Sequence, residues 1–148
     1  MQDQFQSVSR GRKTFLAGAI SLIVFGAVHL LAVYHGNFVP PADEKQAEIK
    51  RLAMEYILPM GPFKPTAWGG NQILNSSYSV LLIYVGVLNL LALRPAAQAG
   101  RLRAFATCNV LFVALLLAIT ILFQFPPPMI FATTSLSLFG VSWLKQGT

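Results

Sequence analysis

Four apolar runs, at 14–34, 67–93, 104–125 and 129–144, dominate this chain and narrow what it can become. Inside hydrocarbon every backbone N–H and C=O needs an internal partner, and a helix supplies them all within one segment. A helix crosses the bilayer core in about 20 residues at about 1.5 Å each. The first three runs, of 21, 27 and 22 residues, meet that length. The fourth has 16, and it reaches 127–144 if Pro127 and Pro128 open its helix. Proline suits a first helical turn, where its missing N–H would have had no partner. Composition agrees. Hydrophobic residues make up 55% of the chain and charged residues 11%, against about 25% charged in a soluble domain. Mean hydropathy is +0.59. A soluble globular domain and a disordered chain are both excluded. The 148 residues predict a single domain, an all-α membrane protein built as a four-helix transmembrane bundle.

The charges indicate orientation. The net charge of +6 raises the question of nucleic acid, but the basic residues sit in short clusters beside the apolar runs and form no stripe. Arg10, Arg12 and Lys13 precede the first run, Arg94, Arg101 and Arg103 lie between the second and third, and Lys145 follows the fourth. The first connection balances Lys45, Lys50, Arg51 and Lys64 against Asp43, Glu44, Glu48 and Glu55. Lys and Arg are retained on the cytoplasmic side. Both termini are therefore expected in the cytoplasm, in a bacterial inner membrane, with the first and third connections outside. The first run reads as an uncleaved helix: its apolar core exceeds the ~7–15 residues of a signal peptide and ends without a small-residue cleavage site. The lone Cys108 fits no disulfide or zinc spacing.

The outer first connection has structure of its own. Ile49, Leu52, Ala53, Tyr56 and Ile57 recur at helical spacing, bracketed by Pro40, Pro41 and Pro59. Asp43 followed by Gln46 resembles a capping box. The pattern predicts an amphipathic helix over about 42–58, lying on the outer surface or capping the bundle.

Polar side chains inside the spans mark inward faces, because burial in lipid without partners is costly. Gly18, Ser21, Gly26 and His29 share a face of the first span. Trp68, Asn71, Gln72, Asn75, Ser79, Gly86 and Asn89 share one on the second. Asn109, Thr120 and Gln124 cluster on the third, and Thr133, Ser137 and Gly140 on the fourth. By depth, His29, Asn71, Gln72, Asn75, Thr120 and Gln124 are expected to converge in the outer half, with Trp68 at the mouth. Asn89 and Asn109, each five residues from the inner turn, are expected to bond across it. For His29 two readings stand: a neutral imidazole bonding a neighbouring helix, or a pocket residue. The Asn71–Asn75 stripe is likewise interhelical glue or a site. No His-x3-His or carboxylate pair lies within a span, so no metal and no cofactor is expected. Ser76, Ser77 and Ser79 lack a nucleophile elbow, which argues against nucleophilic catalysis.

The segment Gly26-Ala27-Val28-His29-Leu30, an outer helical connection, then Trp68 and Asn75-Ser76-Ser77-Tyr78-Ser79, resembles a family of small four-span bacterial membrane proteins with no assigned activity. The resemblance covers the first two spans and implies a second histidine at the place of Tyr78, which this chain lacks. The architecture also resembles DoxX-like four-helix membrane proteins and the four-span sterol isomerases. The intramembrane acids that would protonate an isomerase substrate are absent here, which argues against that chemistry.

The expected function is that of a non-catalytic accessory protein or self-associating bundle. The alternative is a module binding a small apolar ligand, a lipid or quinone, through His29, Trp68, Asn71, Gln72, Asn75 and Gln124. Catalysis with His29 as general base and a channel or transporter are weaker readings, the latter because the interior lacks charge. The lipid bilayer is the required partner. A membrane-protein partner or a second copy of the chain is the further expectation, and nucleic acid is excluded.

Overall fold

The structure, a computed structural model, describes residues 2–124 and 126–146, and of residues 2–10 only the helical backbone. It is all-α. Among the described residues five helices follow one another: α1 (Gln2–Phe38), α2 (Glu44–Glu55), α3 (Ala67–Gln98), α4 (Leu102–Leu122) and α5 (Pro126–Lys145). No strand occurs among the described residues, only isolated bridges. Three stretches are long and apolar enough to cross a membrane: Gly11–Phe38, Ala67–Gln98 and Leu102–Leu122. The expected fourth span is a helix of 20 residues, but three leading prolines and five Ser and Thr residues dilute its apolar content, and it does not rank with the others.

Several boundaries differ from expectation. α1 continues past Tyr34 to Phe38 and stops where Pro40 disfavours helical geometry at Val39. α3 continues past Leu93 and carries Pro95 inside it. That proline removes one bond, the one Leu91 O would have accepted. A Schellman turn closes the helix after it: Arg101 N donates to Ala96 O at 2.8 Å and Gly100 N to Ala97 O at 3.3 Å. Gly100 supplies the left-handed residue, at φ 67°. α4 ends at Leu122, short of the expected 125, and Gln124 has turned to φ 49°. Phe125 lies outside the described residues. At about 1.5 Å per residue, the 37 residues of α1 and 32 of α3 reach about 55 and 48 Å, well beyond a hydrocarbon core of about 30 Å.

α2 is shorter than the expected 42–58. Asp43 caps it, accepting from Gln46 N at 2.7 Å, and the Gln46 side chain returns to accept from Ala42 N at 3.1 Å. The helix ends at Glu55, with Tyr56 already extended at ψ 113°, and Pro59 keeps its predecessor Leu58 from resuming helical geometry. The chain then doubles back. Leu58 N donates to Pro65 O and Ala67 N to Tyr56 O, with Gly61 at φ 61° in the bend. Thr66 caps α3 by accepting from Gly69 N at 3.0 Å.

The chain forms two compact units, one of Met1–Phe25 with Leu82–Thr148, the other of Gly26–Leu81. In the first, buried positions recur at alternating spacings of four and three. They are Gly11, Phe15, Gly18, Leu22 and Phe25 on α1, and Leu82, Gly86, Asn89, Leu93 and Ala96 on α3. α4 follows with Leu102, Ala106, Asn109 and Val113, and α5 with Pro128, Ala132, Ser135, Phe139 and Ser142. Alternating steps of three and four keep one stripe of each helix against its neighbours. Phe15 and Phe139 meet edge to face at 5.3 Å, and Phe25 stacks on Phe131 at 4.8 Å. Ser21 gives its single proton to Gly18 O, so Ser135 donates to Ser21 Oγ across 2.7 Å. Ser142 donates to Gly11 O at 2.9 Å.

The inward face of α5 is not the one expected. Thr133 and Ser137 are exposed, and Ser135 and Ser142 are buried instead. The reason is local. Ser137 donates to Thr133 O and Thr134 to Ile130 O, so these hydroxyls are satisfied within their own helix and need no neighbour. Packing of Ala132 and Phe139 sets the rotation.

Asn89 and Asn109 do bond across the turn between α3 and α4, reciprocally, at 2.7 and 2.8 Å, with each residue only 5% exposed. Asn109 also donates to Phe105 O. Interhelical polar pairs in membranes couple by about 0.6 kcal/mol on average and about 1.7 at most. Two mutual bonds place this pair at the upper end, so a double-mutant cycle of Asn89→Leu and Asn109→Leu, read by unfolding in mixed micelles, should give about 1–1.5 kcal/mol of coupling. Strict additivity would refute the pairing.

Candidate functional site

The chemistry-bearing side chains of the second unit lie on the last turns of α1, on α2 and on the first turns of α3. Their positions follow from the caps and bends just described. The Asp43 cap starts α2, and Thr66 starts α3 at Ala67, so Trp68 falls in its first turn.

The deepest polar contact is between His29 and Ser79, with Nδ1 and Oγ 2.8 Å apart. Ser79 Oγ also donates to Asn75 O at 2.9 Å. A hydroxyl has one proton, so with that bond made Ser79 accepts from the Nδ1–H of His29. Tyr78 stands edge-on to the imidazole with ring centres 5.4 Å apart. One turn away, Asn75 Nδ2 donates to both the carbonyl and the side-chain oxygen of Asn71 at 2.9 Å. Gln72 accepts from Asn37 Nδ2 at 3.1 Å, which ties the end of α1 to the start of α3.

The expected site residues therefore fall into separate groups. Asn71 and Asn75 bond each other. His29 reaches Asn75 through Ser79, a residue that the sequence placed on the polar face but not in the site. Gln72 bonds Asn37. Gln124 belongs to the first unit and follows the end of α4. Trp68 lines a cavity.

That cavity holds about 320 Å³ and is walled by the end of α1 and its following turn (His35, Gly36, Val39, Pro40, Pro41), by α2 (Gln46, Ile49, Lys50, Ala53) and by Trp68. The volume falls in the range of small-molecule sites, about 300–1,000 Å³. Lys50 holds its frame. Its Nζ donates to Gly36 O at 3.3 Å and Asn37 O at 3.5 Å, and lies 5.1 Å from the centre of the Trp68 ring. A cation at the last carbonyls of α1 complements the helix dipole, and one over an indole face gains from the ring quadrupole. A shallower hollow of about 460 Å³ shares Ala53 and adds Leu52, Glu55, Tyr56 and Ala67.

Three further charges of α2 pair with one another. Arg51 bridges Glu48 at 2.7 Å and Glu55 at 2.8 Å. The hydrogen bond from Arg51 holds the Glu48 carboxyl below its usual range, and both carboxylates raise the guanidinium further above its own. Among the described residues no group of three or more His, Cys, Asp or Glu side chains is placed to hold a metal ion.

Sequence reasoning missed Lys50, His35 and Gln46 as lining residues. Trp68 was the usable signal, since a half-buried indole in a first helical turn faces whatever covers that turn. Lys50 is 18 residues before Trp68, on an element whose docking no periodicity reveals. Comparison of the chain with family models, with curated proteins and with solved structures found no match.

Proposed function

We propose that this chain is a non-catalytic four-span protein of a bacterial inner membrane, with both termini cytoplasmic. Its task is to bind a small amphipathic or apolar molecule, a lipid or quinone, beside Trp68 on the outer side. The observation that carries the reading is the 320 Å³ cavity between α2 and the ends of α1 and α3. Its walls combine apolar surface from Val39, Pro40, Ile49 and Ala53 with a few polar groups, the usual make-up of a ligand site. The arginines around the inner turn support the orientation, because Lys and Arg stay cytoplasmic. The His29–Ser79 and Asn71–Asn75 bonds then act as structural support below the site, which is the interhelical reading of those residues. The resemblance to small four-span and DoxX-like proteins belongs to the same proposal.

Native mass spectrometry in a neutral detergent tests it. A saturable one-to-one adduct with an added single-chain amphiphile is expected. Ala53→Trp, which fills the space shared by both hollows, should lose the adduct while helical circular dichroism stays unchanged. An adduct that persists in Ala53→Trp, or none in the parent chain, would overturn the reading.

A second reading is favoured by α5. Its outward Thr133, Thr134 and Ser137 present small hydroxyl side chains where lipid would favour apolar ones. Faces of that kind let helices approach closely, which fits self-association with a second copy.

A further inference from the structure

The walls of the 320 Å³ cavity carry an unbalanced charge. Lys50 contributes an ammonium, and His35 and Gln46 contribute further nitrogens, but no carboxylate lines the space. Of the acids in this stretch, Glu48 and Glu55 bind Arg51, and Asp43 caps α2. The ion pairs found among the described residues all belong to Arg51, so none engages Lys50. Lys50 donates instead to two backbone carbonyls at 3.3 and 3.5 Å. Both lie at or beyond the long edge of ordinary N–H···O distances, about 2.7–3.2 Å. A charge-assisted bond from an ammonium to an anionic oxygen is shorter and roughly twice as strong as a neutral one. The carbonyls therefore act as a resting place that an anion outbids.

The apolar remainder defines the other half of the ligand. Val39, Pro40, Pro41, Ile49 and Ala53 form a wall with no hydrogen-bonding side chain, and Ala53 also lines the second hollow with Leu52, Tyr56 and Glu55, whose carboxylate is bound by Arg51. The cavity thus sets an apolar wall beside a cation, Lys50.

Resting on the ligand reading above, we infer that the cavity takes an amphiphile whose anionic head, a carboxylate or phosphate on an alkyl chain, pairs with Lys50 while the chain lies along Val39, Ile49 and Ala53. Trp68 reports on it directly. The sequence has two tryptophans, so Trp143→Phe leaves Trp68 as the only indole.

In that background, and in dodecyl maltoside micelles, Trp68 emission is followed against dodecanoate, dodecyl phosphate, dodecanol and inorganic phosphate. Both anionic amphiphiles should give a saturable change at concentrations about tenfold lower than dodecanol, the factor expected for one charge-assisted bond. Inorganic phosphate alone should give none. Lys50→Met should bring the anions down to the level of dodecanol, and Lys50→Arg should keep the preference. The series on the parent chain is decisive even if Lys50→Met disturbs the fold. Dodecanol binding as tightly as the anions would overturn the anionic head and leave the apolar-ligand reading standing. Inorganic phosphate binding as well as dodecyl phosphate would overturn the amphiphile in favour of a free anion. Binding by none of the four would remove the ligand reading itself.

Discussion

Phe139→Ala is expected to cost about 3 kcal/mol of stability, the low end of the range for emptying a buried phenylalanine site. Phe139 is fully buried. Its ring meets Phe15 edge to face at 5.3 Å and lies flat enough against Gly18 that a β-carbon there would come within 2.9 Å. Side chains in lipid gain little from leaving the solvent, since hydrocarbon tails are as apolar as leucine. What Phe139 contributes is close contact. Gly18 has no side chain with which to refill the space, so the neighbouring backbone cannot collapse cheaply. The low end is chosen because a separated helix would still bury the ring in lipid. Reversible unfolding in mixed micelles measures the effect, with Leu111→Ala as control. Leu111 is 66% exposed and should change stability little. Equal losses from the two substitutions would mean that the seam does not hold the unit.

Gly86→Ala should be the second costly change, at about 2–3 kcal/mol, in the upper range for overpacking a tight core. A β-carbon at Gly86 would lie 2.5 Å from Ile23 Cγ1 and 2.8 Å from Ala19 O. The first contact is with a side chain that can move. The second is with helix backbone, and relieving it means separating α1 from α3 along their shared seam. Glycine is needed here for its size alone, as its backbone is ordinary helix. Gly140 is the matched control, because a β-carbon there meets nothing within 4 Å. Gly140→Ala should be neutral or slightly stabilising, since alanine is the better helix former by about 1 kcal/mol. A Gly86→Ala protein as stable as its parent would show that the two helices have room to spare.

The candidate site was only partly legible. Trp68, singled out by its place at the start of the second span, lines a cavity, and Gln72, Asn71 and Asn75 bond polar partners. Depth matching also paired Asn89 with Asn109, because two polar residues equidistant from a tight turn have few other choices. The same reasoning worked less well for His29. Matching depth brought it level with Asn71 and Asn75, but rotation about the helix axis selects among residues at one level, and it selected Ser79. The error on α5 has the same origin. Thr133 and Ser137 looked inward because they are polar, yet a helix hydroxyl such as that of Ser137 can bond the carbonyl one turn back without a neighbouring helix.

By itself the sequence determined that the chain is helical, that it carries helices long and apolar enough to cross a membrane, where those helices lie and which residue caps α2. These are local or compositional properties. Runs of apolar residues set the solvent, the absence of water forces backbone bonds inside each segment, and caps such as Asp43 and breaks such as Pro40 act within a few residues. Only the tertiary structure decided which face of α5 is buried and which groups wall the cavity. Those depend on shape, through Phe139 against Gly18, and on groups such as Lys50, His35 and Trp68, which meet only because three separate elements dock. No periodicity within one segment carries that information.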